Sequence, residues 1–168
     1  MQSKSFSITV KSKIKPFKKI IKVDADKSLS IRSFLISSIS HDVSSINNIL
    51  ESEDVKSTIQ ACKKLGVKIV RFKTGSYKVF GKGLGSLLAK KNLTIDCGNS
   101  GTLARLLIGI LSTTPDIEIN ITGDKSLKKR SMKKLINLMS EFGATFLPRG
   151  KYNFPLKLIS SEMPIGIH

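Results

Sequence analysis

The chain has 168 residues, 29 Lys+Arg against 12 Asp+Glu, a formal charge of +17 and 40% hydrophobic residues. That apolar fraction supplies a core and excludes a disordered basic tail, and the length fits one ordinary domain or a piece of something larger. No apolar run approaches the roughly 18–20 residues of a membrane span, no signal-peptide pattern opens the chain, and two cysteines make no disulfide framework, so the expectation is a soluble, cytoplasmic protein.

Residues 1–22 carry seven lysines and no acid. They are interleaved with Phe6, Ile8, Val10, Ile14, Ile20 and Ile21, which reads as strands rather than a nucleic-acid arm. Apolar spacing then predicts four helices: 29–39 on Ile31, Phe34, Leu35 and Ile39, a second after an N-cap at Ser52, a third over 100–111, and a fourth following Ser126. Glu53 and Asp54 suit the second helix as acids in a first turn. Gly66 and Gly143 read as left-handed helix stops. Strands are predicted at 18–23, 45–50, 67–72, 77–80, 93–96, 117–122, 144–147 and 154–159.

In order, these elements spell β-α-β-α-β-β twice, an internal duplication. The expected organisation is a leading strand or strands over 1–19, one unit over 20–82, a second over 92–160, and the start of a third over 161–168. Stacked repeats usually need about three copies to bury their faces, so two read as incomplete.

Three turns can bind an anion. Lys27, Ser28 and Arg32 sit at a strand-to-helix turn, where free N–H groups and the positive dipole end attract negative charge. Gly98-Asn99-Ser100-Gly101-Thr102, followed by Arg105, occupies the same place in the second unit. Lys125, Lys128, Lys129 and Arg130 crowd the start of the fourth helix, an arrangement that favours a bound anion and singles out Arg130. Plain readings stand beside these: Ser28 as a simple cap with Lys27 and Arg32 solvated, and a solvated basic turn before the fourth helix. Of the 29 cations, 24 are lysine, and with eight Phe, two Tyr and no Trp the chain lacks clustered stacking aromatics. A small phosphorylated or carboxylated ligand is therefore favoured over nucleic acid. Cys62 and Cys97 read as buried core residues. The two histidines, His41 in a loop and His168 at the last position, are not near Cys97 in the sequence, and no His/Cys spacing suits a metal.

On "DKSLSIRSFLISSIS", "LESEDVKSTIQACKKLGVKI", "DCGNSGTLARLLIGIL" and "GDKSLKKRSMKKLINLMSEFGA", the chain resembles the amino-terminal part of 5-enolpyruvylshikimate-3-phosphate synthases. The resemblance implies an α/β fold of repeated βαβαββ units, the inside-out barrel of enolpyruvyl transferases, with the residues before the first unit belonging to the other domain. It implies transfer of the enolpyruvyl group of phosphoenolpyruvate to shikimate 3-phosphate, releasing phosphate, without a metal or organic cofactor and usually by a monomer. By motif, Lys27, Ser28 and Arg32 correspond to binders of shikimate 3-phosphate, and Lys27, Gly101 and Arg130 to binders of phosphoenolpyruvate. Asn99, Thr102 and Arg105 support that loop. The family's acid and base groups correspond to nothing up to His168 and are expected beyond it. The isolated chain is therefore expected to be inactive and to need a C-terminal portion to complete the cleft. Asp24-Ala25 replace the family's Pro-Gly, and Ile31 and Ser131 also depart from its pattern. The alternatives are an enzyme resembling UDP-N-acetylglucosamine enolpyruvyl transferase, whose family typically carries Asn where Ser28 stands, and a basic nucleic-acid-binding module.

Overall fold

The computed structural model describes residues 23–164 without a break, together with residues 7–9, 11, 13, 16, 18 and 20. The leading strand expected within 1–19, the strand over 18–23 and the start of a third unit over 161–168 lie largely or partly outside the described residues. His168, the position beyond which the acid and base groups are expected, also lies outside them.

The first helix, α1 (Lys27–Ile39), is capped by Asp26, whose carboxylate accepts from the Leu29 backbone N–H across 2.6 Å. Ser28 is therefore inside the first turn and not the cap. Ile31, Phe34 and Leu35 are buried as the spacing predicts, but so are Ser30, Ser37 and Ser38. Buried hydroxyls need partners. The Ser30 hydroxyl donates to the Asp26 carbonyl and accepts from the Leu50 N–H, 2.7 and 3.0 Å away, stitching α1 to the loop ahead of the next helix.

Strand β1 (Val43–Ile46) and helix α2 (Glu53–Lys64) follow, then the hairpin of β2 (Lys68–Lys73) and β3 (Ser76–Phe80). Ser52 stands at the N-cap of α2, yet its buried hydroxyl has no partner, so Glu53 and Asp54 in the first turn carry the dipole complement alone. Next come β4 (Leu93–Asp96), α3 (Gly101–Ser112), β5 (Glu118–Thr122), α4 (Lys133–Glu141), β6 (Thr145–Leu147) and β7 (Leu156–Ile159). Helix α3 is capped by the Ser100 hydroxyl, which accepts from Leu103 N–H. Gly66 and Gly143 end α2 and α4 at φ of +86° and +97°, the left-handed region where a Cβ is costly.

The fourth helix starts later than its apolar stripe suggests. Leu127–Lys129 form a separate 3-10 turn, begun by Asp124, whose carboxylate accepts from Leu127 N–H. Arg130 closes that turn in extended conformation, and the Met132 N–H donates to the Tyr152 carbonyl across 2.7 Å. The four cations therefore surround a 3-10 turn and do not sit on the N-terminus of α4.

The sheets repeat one another. One has the order β1-β3-β2 and the other β4-β5-β7-β6. Phe80 on β3 pairs antiparallel with Val43 and Lys68 on either side, just as Ile159 on β7 pairs with Glu118 and Thr145. The second sheet adds β4 parallel to β5. Each sheet turns one face onto the helices, and the buried apolar residues of both halves form one continuous core. Its largest members include Phe34, Leu65, Leu103, Leu107, Ile108 and Ile119, each almost wholly excluded from water. The Phe34 and Tyr77 rings meet edge to face at 5.1 Å between centroids, fastening α1 to β3. The result is a mixed α/β fold in which the helices pack on one another and on the sheets.

Candidate functional site

Three helices bring their N-terminal turns to one place. Lys27 opens α1, Asp54 is the second residue of α2, and Gly101 and Thr102 open α3. With Asn99, Arg105 and Arg130 they line a polar cavity of about 240 Å³. Unpaired N–H groups and the positive dipole ends of helices attract anions, and three cations reinforce them here. A larger groove of about 530 Å³ beside the β6–β7 hairpin, lined by Lys129, Arg149 and Lys151 among others, shares only Lys129 with the three candidate anion turns.

Within the cavity the cations are held by specific partners. Arg130 donates from Nη2 to the Asn99 side-chain oxygen, 2.8 Å away. Arg105 donates to the Gly101 carbonyl one helical turn earlier, at 3.3 Å. Lys27 Nζ lies 3.0 Å from Asp54 Oδ2; the lysine side chain is 50% exposed and the aspartate 20%. Gly101 has to be glycine for this geometry. A Cβ there would stand 2.7 Å from Arg105 Nη1 and 3.0 Å from Arg130 Nη1. Gly123 similarly lets two loops close, since a Cβ there would come within 2.7 Å of the Gly98 carbonyl, while Asp124 N–H donates to that same oxygen.

Six of the eight ligand-binding or supporting residues singled out from the sequence, Lys27, Asn99, Gly101, Thr102, Arg105 and Arg130, line the cavity together. Ser28 and Arg32 do not; Arg32 is exposed one turn along α1. Asp24 and Ala25, the departures beside the first turn, line a different groove with Asn48, Ile49, Leu50, Glu51 and Thr74. The acid at Asp24 therefore does not face the cavity. The sequence nominates no catalytic acid or base up to His168, which lies outside the described residues. Asp54 is the residue that sequence reasoning placed in another role, as a dipole partner only.

Both thiols are buried and protonated at neutral pH. Burial pushes Cys62 up to about 11. Burial, with the Asp96 carboxylate adding to it, pushes Cys97 up to about 12. Neither is positioned as a nucleophile.

Comparison with known proteins points to one family. The family model "EPSP synthase (3-phosphoshikimate 1-carboxyvinyltransferase)" matches residues 11–164. A curated 3-phosphoshikimate 1-carboxyvinyltransferase of Thermodesulfovibrio yellowstonii is 42% identical over 162 residues, covering 92% of this chain and 37% of that protein. The enzyme of that name from Syntrophomonas wolfei is 36% identical over 158 residues, covering 94% and 36%. The solved EPSP synthase of Acinetobacter baumannii superposes with a TM-score of 0.80 at 33% identity, over 88% of this chain and 33% of that one. The chain thus spans about a third of the length of the curated relatives it matches.

Proposed function

The chain belongs to the EPSP synthase family, and from that premise we propose that it supplies the part of the substrate cleft that grips two anions, phosphoenolpyruvate and shikimate 3-phosphate. In the reaction proposed for the whole protein, the 5-oxygen of shikimate 3-phosphate bonds to C2 of the enolpyruvyl group. The bond from that carbon to the phosphate oxygen breaks, and phosphate leaves with the proton balance of the lost hydroxyl hydrogen. Lys27, Gly101 and Arg130 hold phosphoenolpyruvate; Lys27, with Ser28 and Arg32 along α1 outside the cavity lining, holds shikimate 3-phosphate; and Asn99, Thr102 and Arg105 keep the loop in place. Cations and N–H donors set before the reaction hold two like-charged molecules in contact and stabilise charge that builds up between them.

The observation that supports this reading is convergence: residues from three separate turns, 27, 99–105 and 130, meet in one cavity at three helix N-termini. Residues 20–82 and 92–160 act as two βαβαββ units of one domain, in a cytoplasmic enzyme that works without a cofactor. No proton transfer is assigned to these residues. Calorimetric titration of purified residues 1–168 with each substrate tests the proposal. Binding of phosphoenolpyruvate that Lys27→Ala and Arg130→Ala each weaken supports it; absence of binding, or affinity indifferent to both substitutions, overturns it. The same preparation is expected to release no phosphate from the substrate pair.

A further inference from the structure

We propose that Asp54 is a positioning residue, which fixes the Lys27 ammonium where a bound anion meets it; this rests on reading the cavity as an anion site. Asp54 is the one acid among the described residues lining it, against Lys27, Arg105 and Arg130, so the lining charge is 3 − 1 = +2. An acid facing an anion weakens its binding unless the acid does something else there. The geometry supplies that other role. Lys27 stands at the first position of α1, where the helix dipole opposes a cation, and its four-carbon stem leaves the ammonium free to swing into water. Asp54 stands in the first turn of α2, where the dipole favours an acid, and its side chain is mostly covered. Its own carbonyl accepts from the Thr58 hydroxyl at 2.8 Å, and Thr58 is fully buried, so this end of α2 is anchored. The 3.0 Å contact therefore ties a mobile cation to a fixed carboxylate and leaves two of the three ammonium protons for a ligand. The pair also locks the N-termini of α1 and α2 to each other at the cavity wall.

A double-substitution cycle on residues 1–168 separates this role from simple charge repulsion and from helix support. The probe is phosphoenolpyruvate at fixed ionic strength, titrated into the wild type, Asp54→Asn, Lys27→Ala and the double variant. Asp54→Asn is expected to weaken binding about two- to fivefold although it removes a repelling charge, and Asp54→Glu to restore much of the loss. In the Lys27→Ala background, Asp54→Asn is expected to leave affinity unchanged or raise it. Unchanged or tighter binding by the single Asp54→Asn variant overturns the proposal, as does an equal loss in both backgrounds. A second readout needs no ligand: the 15N signal of the Lys27 ammonium is expected to be sharp in the wild type and broadened by solvent exchange in Asp54→Asn. If the wild type binds no phosphoenolpyruvate, the anion-site reading fails by itself, and a Lys27 signal identical in both proteins then overturns the pairing as well.

Discussion

Arg130 and Asn99 are 31 residues apart in sequence and joined by a 2.8 Å hydrogen bond, from guanidinium Nη2 to the side-chain oxygen. That bond links the turn after β5 to the loop before α3, the two segments that bring most of the cavity's donors. Asn99→Ala removes the acceptor and lets Arg130 relax into solvent. Affinity of residues 1–168 for phosphoenolpyruvate is expected to fall about two- to fivefold, while stability moves within about 0.5 kcal/mol because both side chains are exposed. Calorimetric titration run beside a urea melt checks both halves.

Gly101→Ala acts on the same donors by crowding. The new methyl group meets the ends of two long side chains and no backbone, so the guanidinium groups of Arg105 and Arg130 move while the fold stays. A loss of anion affinity of about tenfold, ~1.4 kcal/mol, is expected with little change in the melting midpoint. The competing expectation, that Gly101 is needed only for helix geometry, gives the reverse: an unchanged affinity and a lower midpoint.

Much of this site is legible in the sequence because each of its parts is local. The Gly-rich turn before α3 and the basic turn before α4 announce themselves by residue type, and the doubled βαβαββ order places the Gly-rich turn at the point of the repeat that Lys27 holds before α1. What local pattern does not carry is tertiary substitution. The apolar stripe through Met132 runs on as if helical, but the hydrogen bond from Met132 to Tyr152 and the 3-10 turn before it delay α4 to Lys133. Asp26, and not Ser28, takes the cap of α1. Asp54 reads as an ordinary first-turn acid until the packing of α1 on α2 brings Lys27 to it. Arg32 has the right type and spacing for a ligand-facing residue, yet the cavity does not include it.

The two thiols offer a check on the core. Cys62 and Cys97 are almost wholly excluded from water, and burial holds both well above the usual thiol range. A thiol-specific disulfide reagent at pH 8 is expected to leave both untouched in the native chain and to modify both in concentrated guanidinium. The native reaction should follow the rate of opening of the core. Rapid modification of Cys97 under native conditions would show that the Gly98 loop opens independently of the sheet.

Glu51 governs how the fold responds to acid. Its carboxylate accepts both donors of Arg71 at 2.8 Å, the Gly75 N–H at 2.9 Å and the Tyr77 hydroxyl at 2.7 Å, joining the loop before α2 to both strands of the β2–β3 hairpin. The Arg71 hydrogen bonds, with those from Gly75 and Tyr77, lower its pKa from 4.5 to about 2. A carboxylate whose folded value lies below its unfolded one stabilises the fold above the unfolded value. That contribution is lost as pH falls from about 4.5 towards about 2. The urea midpoint of the wild type is therefore expected to drop more steeply across that window than the midpoint of Glu51→Gln, which keeps the shape of the side chain and has no proton to gain. At pH 7 the variant is the less stable of the two, and the difference closes as the pH approaches 2. Parallel midpoints from pH 5 to pH 2 would mean that the hairpin is held by its backbone pairing and by Tyr77 against Phe34, with Glu51 only resting on it.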